Sequence, residues 1–294
     1  SGWRLAAAVS NAGGLGLLGA GSMHPETLRE HIRKCREATH HAFGVNIPLM
    51  YPQIEEIMQI VADEGVKIVF TSAGSPKKWT GWLHERGITV VHVVSSSRFA
   101  VKAEEAGVDA IVAEGFEAGG HNGREETTTL CLIPAVRAVT TLPLIAAGGI
   151  ATGEAMLAAR VLGAEGVQIG TRFALTAESS ANEVFKDYCL HLEEGDTRLL
   201  LKKLAPVRLV RNNFRSAVEA AEAVGASEEE LRILLGRGRA KRGIFEGDLE
   251  EGELEIGQVS VLLHGKGVQS VASVMQELVE ESRRAWERMQ ELDF

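Results

Sequence analysis

Seven short, nearly continuous apolar runs punctuate the first 175 residues: 15-LGLLGAG, 43-FGVNIPL, 68-IVFTSAG, 89-TVVHVV, 110-AIVAEG, 143-PLIAAGG and 166-GVQIGTRF. Runs of this length, rich in Val and Ile and without polar alternation, read as strands covered on both faces. Longer amphipathic stretches lie between them, such as 53-QIEEIMQIVADEG, 98-RFAVKAEEAG and 153-GEAMLAARVLGAEG, and the last two end in Gly, as a helix C-terminus should. The strand-to-strand spacing of about 20 to 30 residues is that of a βα unit, and strict alternation implies a parallel sheet.

A helical pattern over 3-WRLAAAVSNAGG precedes the first run, and the chain starts without Met. A strand expected before that helix would lie ahead of Ser1 and bring the count to eight, the number a TIM (β/α)8 barrel needs. The rival is an open doubly wound sheet, but no GxGxxG opens the first helix. After residue 175 the pattern becomes charged and helical, with no strand-like run over 178–250. The organisation expected is therefore an α/β TIM barrel over 1–177, a smaller helical cap domain over 178–252, and a return to the barrel with a final helix over 253–294. The charge runs 228-EEE and 246-EGDLEEGELE read as solvated faces.

Composition narrows the function. The 294 residues carry 31 Lys+Arg against 40 Asp+Glu, net −9, which argues against nucleic-acid binding. No apolar run is long enough to span a membrane, and no signal peptide opens the chain. Cys35, Cys131 and Cys189 are scattered without CxxC, as reduced thiols in a cytoplasmic protein would be.

In a barrel the chemistry sits at the C-terminal strand ends. Here those ends carry Gly19, Gly21, Asn46, Thr71–Gly74, Glu114–Gly123, Gly148–Gly149 and Gln168–Thr171. Glycine-bearing ends on the last two strands free backbone N–H groups and favour a phosphate site. The loop 115-GFEAGGHNG places His121 just past a buried strand, where an imidazole can move a proton near neutral pH. Glu114, at the strand terminus, reads as functional, and Glu117 as loop solvation. No HxH or HExxH accompanies His121, so no metal is expected. No GxSxG elbow or loop cysteine offers a nucleophile. A bound cofactor that carries the reaction suits this set.

The segments 12-AGGLGLLG, 43-FGVNI, 109-DAIVAEGFEAGGHNG, 146-AAGGIATGEA and 166-GVQIGTRF together resemble one family. It is the flavin-dependent family that joins enoyl-acyl-carrier-protein reductase II with nitronate monooxygenase, also called 2-nitropropane dioxygenase. The resemblance implies a TIM barrel binding FMN. Asn46, Glu114 and Gly119 would lie against the flavin; Gly148, Gly149, Gln168, Ile169, Gly170 and Thr171 would hold its phosphate; His121 would be the catalytic histidine. The family's Gln-Gly-Gly-Met first strand does not occur in these residues. Glu at 114 and the run 123-GREETTTL resemble the reductase branch, which passes electrons from NADH or NADPH through FMN to an enoyl thioester in fatty acid synthesis. The alternative is nitronate monooxygenase, which 132-LIPAV also suits. The resemblance further implies an acyl-carrier-protein or acyl-CoA substrate and a homodimer. Basic residues at 202-KK, 208-RLVR and 237-RGRAKR are candidates for docking the acyl carrier, with a solvated helix face as the ordinary reading.

Overall fold

The computed structural model describes residues 1–291. The chain runs α1 (Trp3–Asn11), β1 (Gly16–Gly19), α2 (Pro25–Ala38), β2 (Phe43–Pro48), α3 (Ile54–Asp63), β3 (Ile68–Ser72), α4 (Thr80–His84), β4 (Thr89–Val94), α5 (Ser97–Glu105) and β5 (Ala110–Glu114). It continues through β6 (Gly120–His121), α6 (Thr129–Arg137), β7 (Leu144–Ala147), α7 (Gly153–Val161), β8 (Gly166–Gln168) and α8 (Thr171–Ala174). The remainder is α9 (Glu183–Cys189), β9 (Thr197–Leu200), β10 (Val207–Val210), α10 (Asn213–Ala223), α11 (Glu228–Leu235) and α12 (Val271–Gln290).

All seven apolar runs become parallel strands, in the order β1-β2-β3-β4-β5-β7-β8. This is the curled sheet of a TIM-type barrel. Ser1 lies along its open edge at β1, where its carbonyl accepts a hydrogen bond from Gly19 N–H at 3.0 Å. Two apolar layers cover the sheet, as continuous runs require. Val45, Ile47, Val69, Val90, Ile111 and Ala146 face the helices. Phe70, Val91, Val112 and Ala147 fill the barrel interior. The helix signals act locally: Ser96 and Thr152 accept from Phe99 N and Ala155 N, capping α5 and α7. Gly107 (φ +82°) and Gly163 (φ +110°) end those helices in the left-handed region.

The expectation of a strand-free segment over 178–250 is corrected. β9 and β10 pair antiparallel, and β10 also pairs with β6 from the barrel's glycine loop, matching Val207 with His121 and Arg208 with Gly120. Each strand is four residues or fewer and is interrupted by an arginine, so neither makes an apolar run. Arg208 supplies the tie. It is 1% exposed, donates from Nη2 to Phe116 O at 2.5 Å and from Nε to Ala118 O at 3.1 Å, and lies 4.5 Å over the Phe116 ring. That burial also removes Arg208 from the residues available to dock an acyl carrier. The run 228-EEE is exposed, as a solvated face should be, and Glu230 completes a capping box with Ser227.

Replacing Arg208 with Met would leave two buried carbonyls without their cationic donor. It is expected to lower the unfolding free energy by about 2–4 kcal/mol, read by urea denaturation, with Arg208→Lys recovering only part.

Candidate active site

The strand ends expected to carry the chemistry do converge. Parallel register puts Glu114 opposite Ala147 and Ala147 opposite Gln168, so Glu114 and Gln168 flank one small residue on the interior face. Asn46 stands in register with Gly19 and Phe70, on the same face. All three polar side chains are half-buried, and none has a protein hydrogen-bond partner among the described residues. Their polar atoms are accessible rather than sealed in the core, so they are free to pair with a polar ligand at these strand ends.

The last two strand ends supply backbone. Gly148 (φ +82°) and Gly149 (φ +70°) are left-handed, and a Cβ on Gly148 would sit 2.7 Å from Gly115 O. Gly170 differs: its φ is −95°, and a Cβ there would meet nothing within 4 Å. Ile169 is turned away and packs with the apolar cores. The Thr171 hydroxyl is already used, accepting from Gly257 N at 3.0 Å.

His121 lies on β6, so it is not in a free loop. Around it the chain passes too close to other backbone for side chains. A Cβ on Gly119 would sit 2.5 Å from Gly257 N, and one on Gly120 (φ +74°) would sit 2.5 Å from Glu255 Oε2. Asn122 closes the turn, donating from Nδ2 to Ala118 O (2.9 Å) and Gly120 O (3.1 Å). Arg124 reaches the cap, donating to Lys202 O and Leu204 O at 2.9 Å each. The His121 ring is accessible, yet the walls around it remove enough bulk water to lower its pKa. The shift favours the neutral imidazole over the imidazolium.

Glu117 is corrected from loop solvation to a structural anchor. Its carboxylate accepts from Thr129 N at 2.9 Å and from Thr129 Oγ1 at 2.9 Å. The same hydroxyl lies 2.9 Å from Gly148 O, so the β5 and β7 loops share one hinge. The reading of 246-EGDLEEGELE as wholly solvated is also corrected. Glu253 is buried, and burial pushes Glu255 up to about 8, with Glu253 adding to the rise. Glu255 is a candidate the sequence missed, because it ends a run of acids that reads as a solvated face. Tyr51, raised first by burial and then by the charge of Glu255, faces it from the β2–α3 loop. His92 is a satisfied core histidine, 2.7 Å from Thr71 Oγ1 and held at about 4 by burial.

Burial pushes the Glu114 carboxyl from its ordinary 4.5 to about 7. The folded chain therefore holds a proton there that the unfolded chain releases between those values. Stability associated with that proton is complete below pH 4.5 and is lost as pH rises through about 7. Glu114→Gln should thus gain on the wild-type apoprotein by on the order of 2–3 kcal/mol between pH 5 and 8, measured by denaturant titration at each pH. A difference that stays constant with pH would refute the assignment.

Against known proteins, residues 1–60 and 54–281 match the family model described as nitronate monooxygenase. A probable nitronate monooxygenase of Staphylococcus aureus (strain JH9) is 33% identical, over 66% of this chain and 67% of its own. FabK from Thermotoga maritima superposes with a TM-score of 0.91 at 38% identity, over 98% of this chain and 91% of that one. A nitroalkane oxidase from Streptomyces ansochromogenes superposes with a TM-score of 0.85 at 26% identity, over 98% and 94%.

Proposed function

The chain belongs to the nitronate monooxygenase family and is an oxidoreductase, and we propose that it is the family's enoyl-acyl-carrier-protein reductase form, using FMN and NADH or NADPH. The observation that carries this is the 38% identity to FabK across 98% of the chain, against 26% to the nitroalkane oxidase over the same share. The family model and the Staphylococcus relative, both described as nitronate monooxygenases, favour the second reading.

The residues fit a flavin phosphate ester. Glycine turns at 148–149 and 170 leave backbone N–H groups unshielded, and the unpaired amide of Asn46 and carboxyl of Glu114 suit a ring edged with donors and acceptors. Asn46, Glu114 and Gly119 would hold the ring; Gly148, Gly149, Gln168, Gly170 and Thr171 the phosphate, with Ile169 shaping the turn from beneath. Bound FMN would supply hydride transfer between a nicotinamide and the β-carbon of an enoyl thioester. His121 would deliver a proton to the α-carbon from its protonated ring and return to the neutral form that its surroundings favour. Its accessible edge would allow replacement of that proton from water. On the monooxygenase reading the same neutral ring would accept a proton from, or hydrogen-bond, the nitro substrate. The substrate proposed is an acyl-carrier-protein or acyl-CoA thioester. The 1–177 barrel would carry the flavin, with 178–252 as the cap and 253–294 returning to the barrel. A homodimer and a cytoplasmic setting remain part of this proposal; among the described residues no helix is long and apolar enough to cross a membrane.

His121→Ala should retain flavin and lose about 100-fold or more in turnover; loss of flavin together with fold would make the residue structural. Gly170→Val, placed where the fold has room, should leave thermal stability near wild type and weaken FMN by about tenfold. NAD(P)H oxidation measured anaerobically with crotonyl-CoA separates the readings. Thioester-dependent oxidation establishes the reductase, whereas its absence with oxygen uptake on adding a nitronate establishes the monooxygenase.

A further inference from the structure

Arg172 is 2% exposed and sits one residue past the 168–171 turn. A guanidinium so buried is costly unless its partners are fixed, and here they come from two segments distant from each other in the chain. Nη1 donates to Ala151 O at 2.5 Å, in the turn that follows Gly148–Gly149. Nη2 lies 2.5 Å from Glu277 Oε2 on α12, as an ion pair outside hydrogen-bond alignment. Glu281, one turn further along α12, lies 3.8 Å from Nη1 and accepts from Gly153 N at 2.8 Å, at the start of α7. Glu277 is itself held by Gln269 Nε2 at 3.1 Å and by Lys266. Arg172 Nε has no partner among the described residues. The group is thus shared between the two glycine turns and α12, and no other side chain among the described residues bridges those turns.

We propose that Arg172, fixed by Glu277 and Glu281, is a positioning residue that sets the spacing of the 148–151 and 168–171 turns and so the grip of their N–H groups on the cofactor phosphate. This rests on the FMN reading. The guanidinium does not itself touch the phosphate: both terminal nitrogens face Ala151 and α12. A lysine cannot reproduce the link, because one ammonium cannot reach Ala151 O and Glu277 in the same planar arrangement. The C-terminal helix, distant in sequence from either turn, thereby becomes part of the cofactor site.

The test compares FMN with riboflavin, which has the ring and lacks the phosphate, by quenching of flavin fluorescence on the apoprotein. Arg172→Lys should weaken FMN about tenfold while changing riboflavin less than about twofold, so that the ratio of the two dissociation constants falls. Glu281→Gln keeps an acceptor for Gly153 N–H and removes only the charge; it should shift the ratio in the same direction by less, and it decides the matter if Arg172→Lys does not fold. An unchanged ratio, whether both flavins bind normally or both weaken together, overturns the proposal and leaves Arg172 a residue of general stability. A wild-type chain that binds riboflavin as tightly as FMN, or binds neither, overturns the phosphate reading itself and the positioning role with it.

Discussion

The Arg208 guanidinium is the contact on which the arrangement around His121 depends. A loop with four glycines in nine residues loses much backbone entropy when it is ordered, and its carbonyls cannot all pair within the loop. Arg208 satisfies two of them, at Phe116 and Ala118, and stacks on the Phe116 ring. Because Arg208 belongs to β10, the cap carries the donor and the barrel carries the acceptors. The glycine loop and the 197–210 hairpin are therefore ordered together, and β6 is the third strand of a sheet whose other two strands lie about 80 residues away.

Two electrostatic regimes meet at this junction. Structural carboxylates are paired: Glu117 takes the Thr129 amide and hydroxyl, and Glu277 is held at about 2, where burial is outweighed by Lys266, Gln269 and Arg172. The carboxyls facing the cavity are unpaired, and desolvation favours their neutral forms, to about 7 at Glu114 and about 8 at Glu255. His121 is pushed the other way, also toward neutrality. Desolvation thus biases all three groups toward their neutral forms, in which each can both donate and accept a hydrogen bond, with Glu114 half-ionised near pH 7. A protonated Glu114 can both donate and accept a hydrogen bond, as a glutamine side chain can.

The 148–151 and 168–171 turns are ordered by another route. Thr129 ties Glu117 to Gly148, and Arg172 ties Ala151 to α12, so the β7 turn is held from both sides by side chains of other elements. The glycines there allow the backbone course but do not dictate it. At Gly148 the neighbouring backbone also leaves no room for a Cβ, which would sit 2.7 Å from Gly115 O.

Seven barrel strands, their parallel order and the helices between them were legible along the chain, because runs such as 68-IVFTSAG bury both faces and their caps act within four residues. His121, Glu114, Asn46 and the glycine ends were legible for a related reason: a barrel sends every strand's C-terminus to one rim. The short strands β9 and β10 were not, since four residues broken by an arginine carry no period and their pairing is with distant segments. Nor were the roles of Glu117, Glu255, Arg172 and Arg208, which look in sequence like any exposed charge. Local periodicity and capping, set by neighbours in the chain, let the sequence by itself determine the barrel and its rim. Which charges are buried, paired or left neutral depends on water removed by residues far along the chain, and only the tertiary structure decided that.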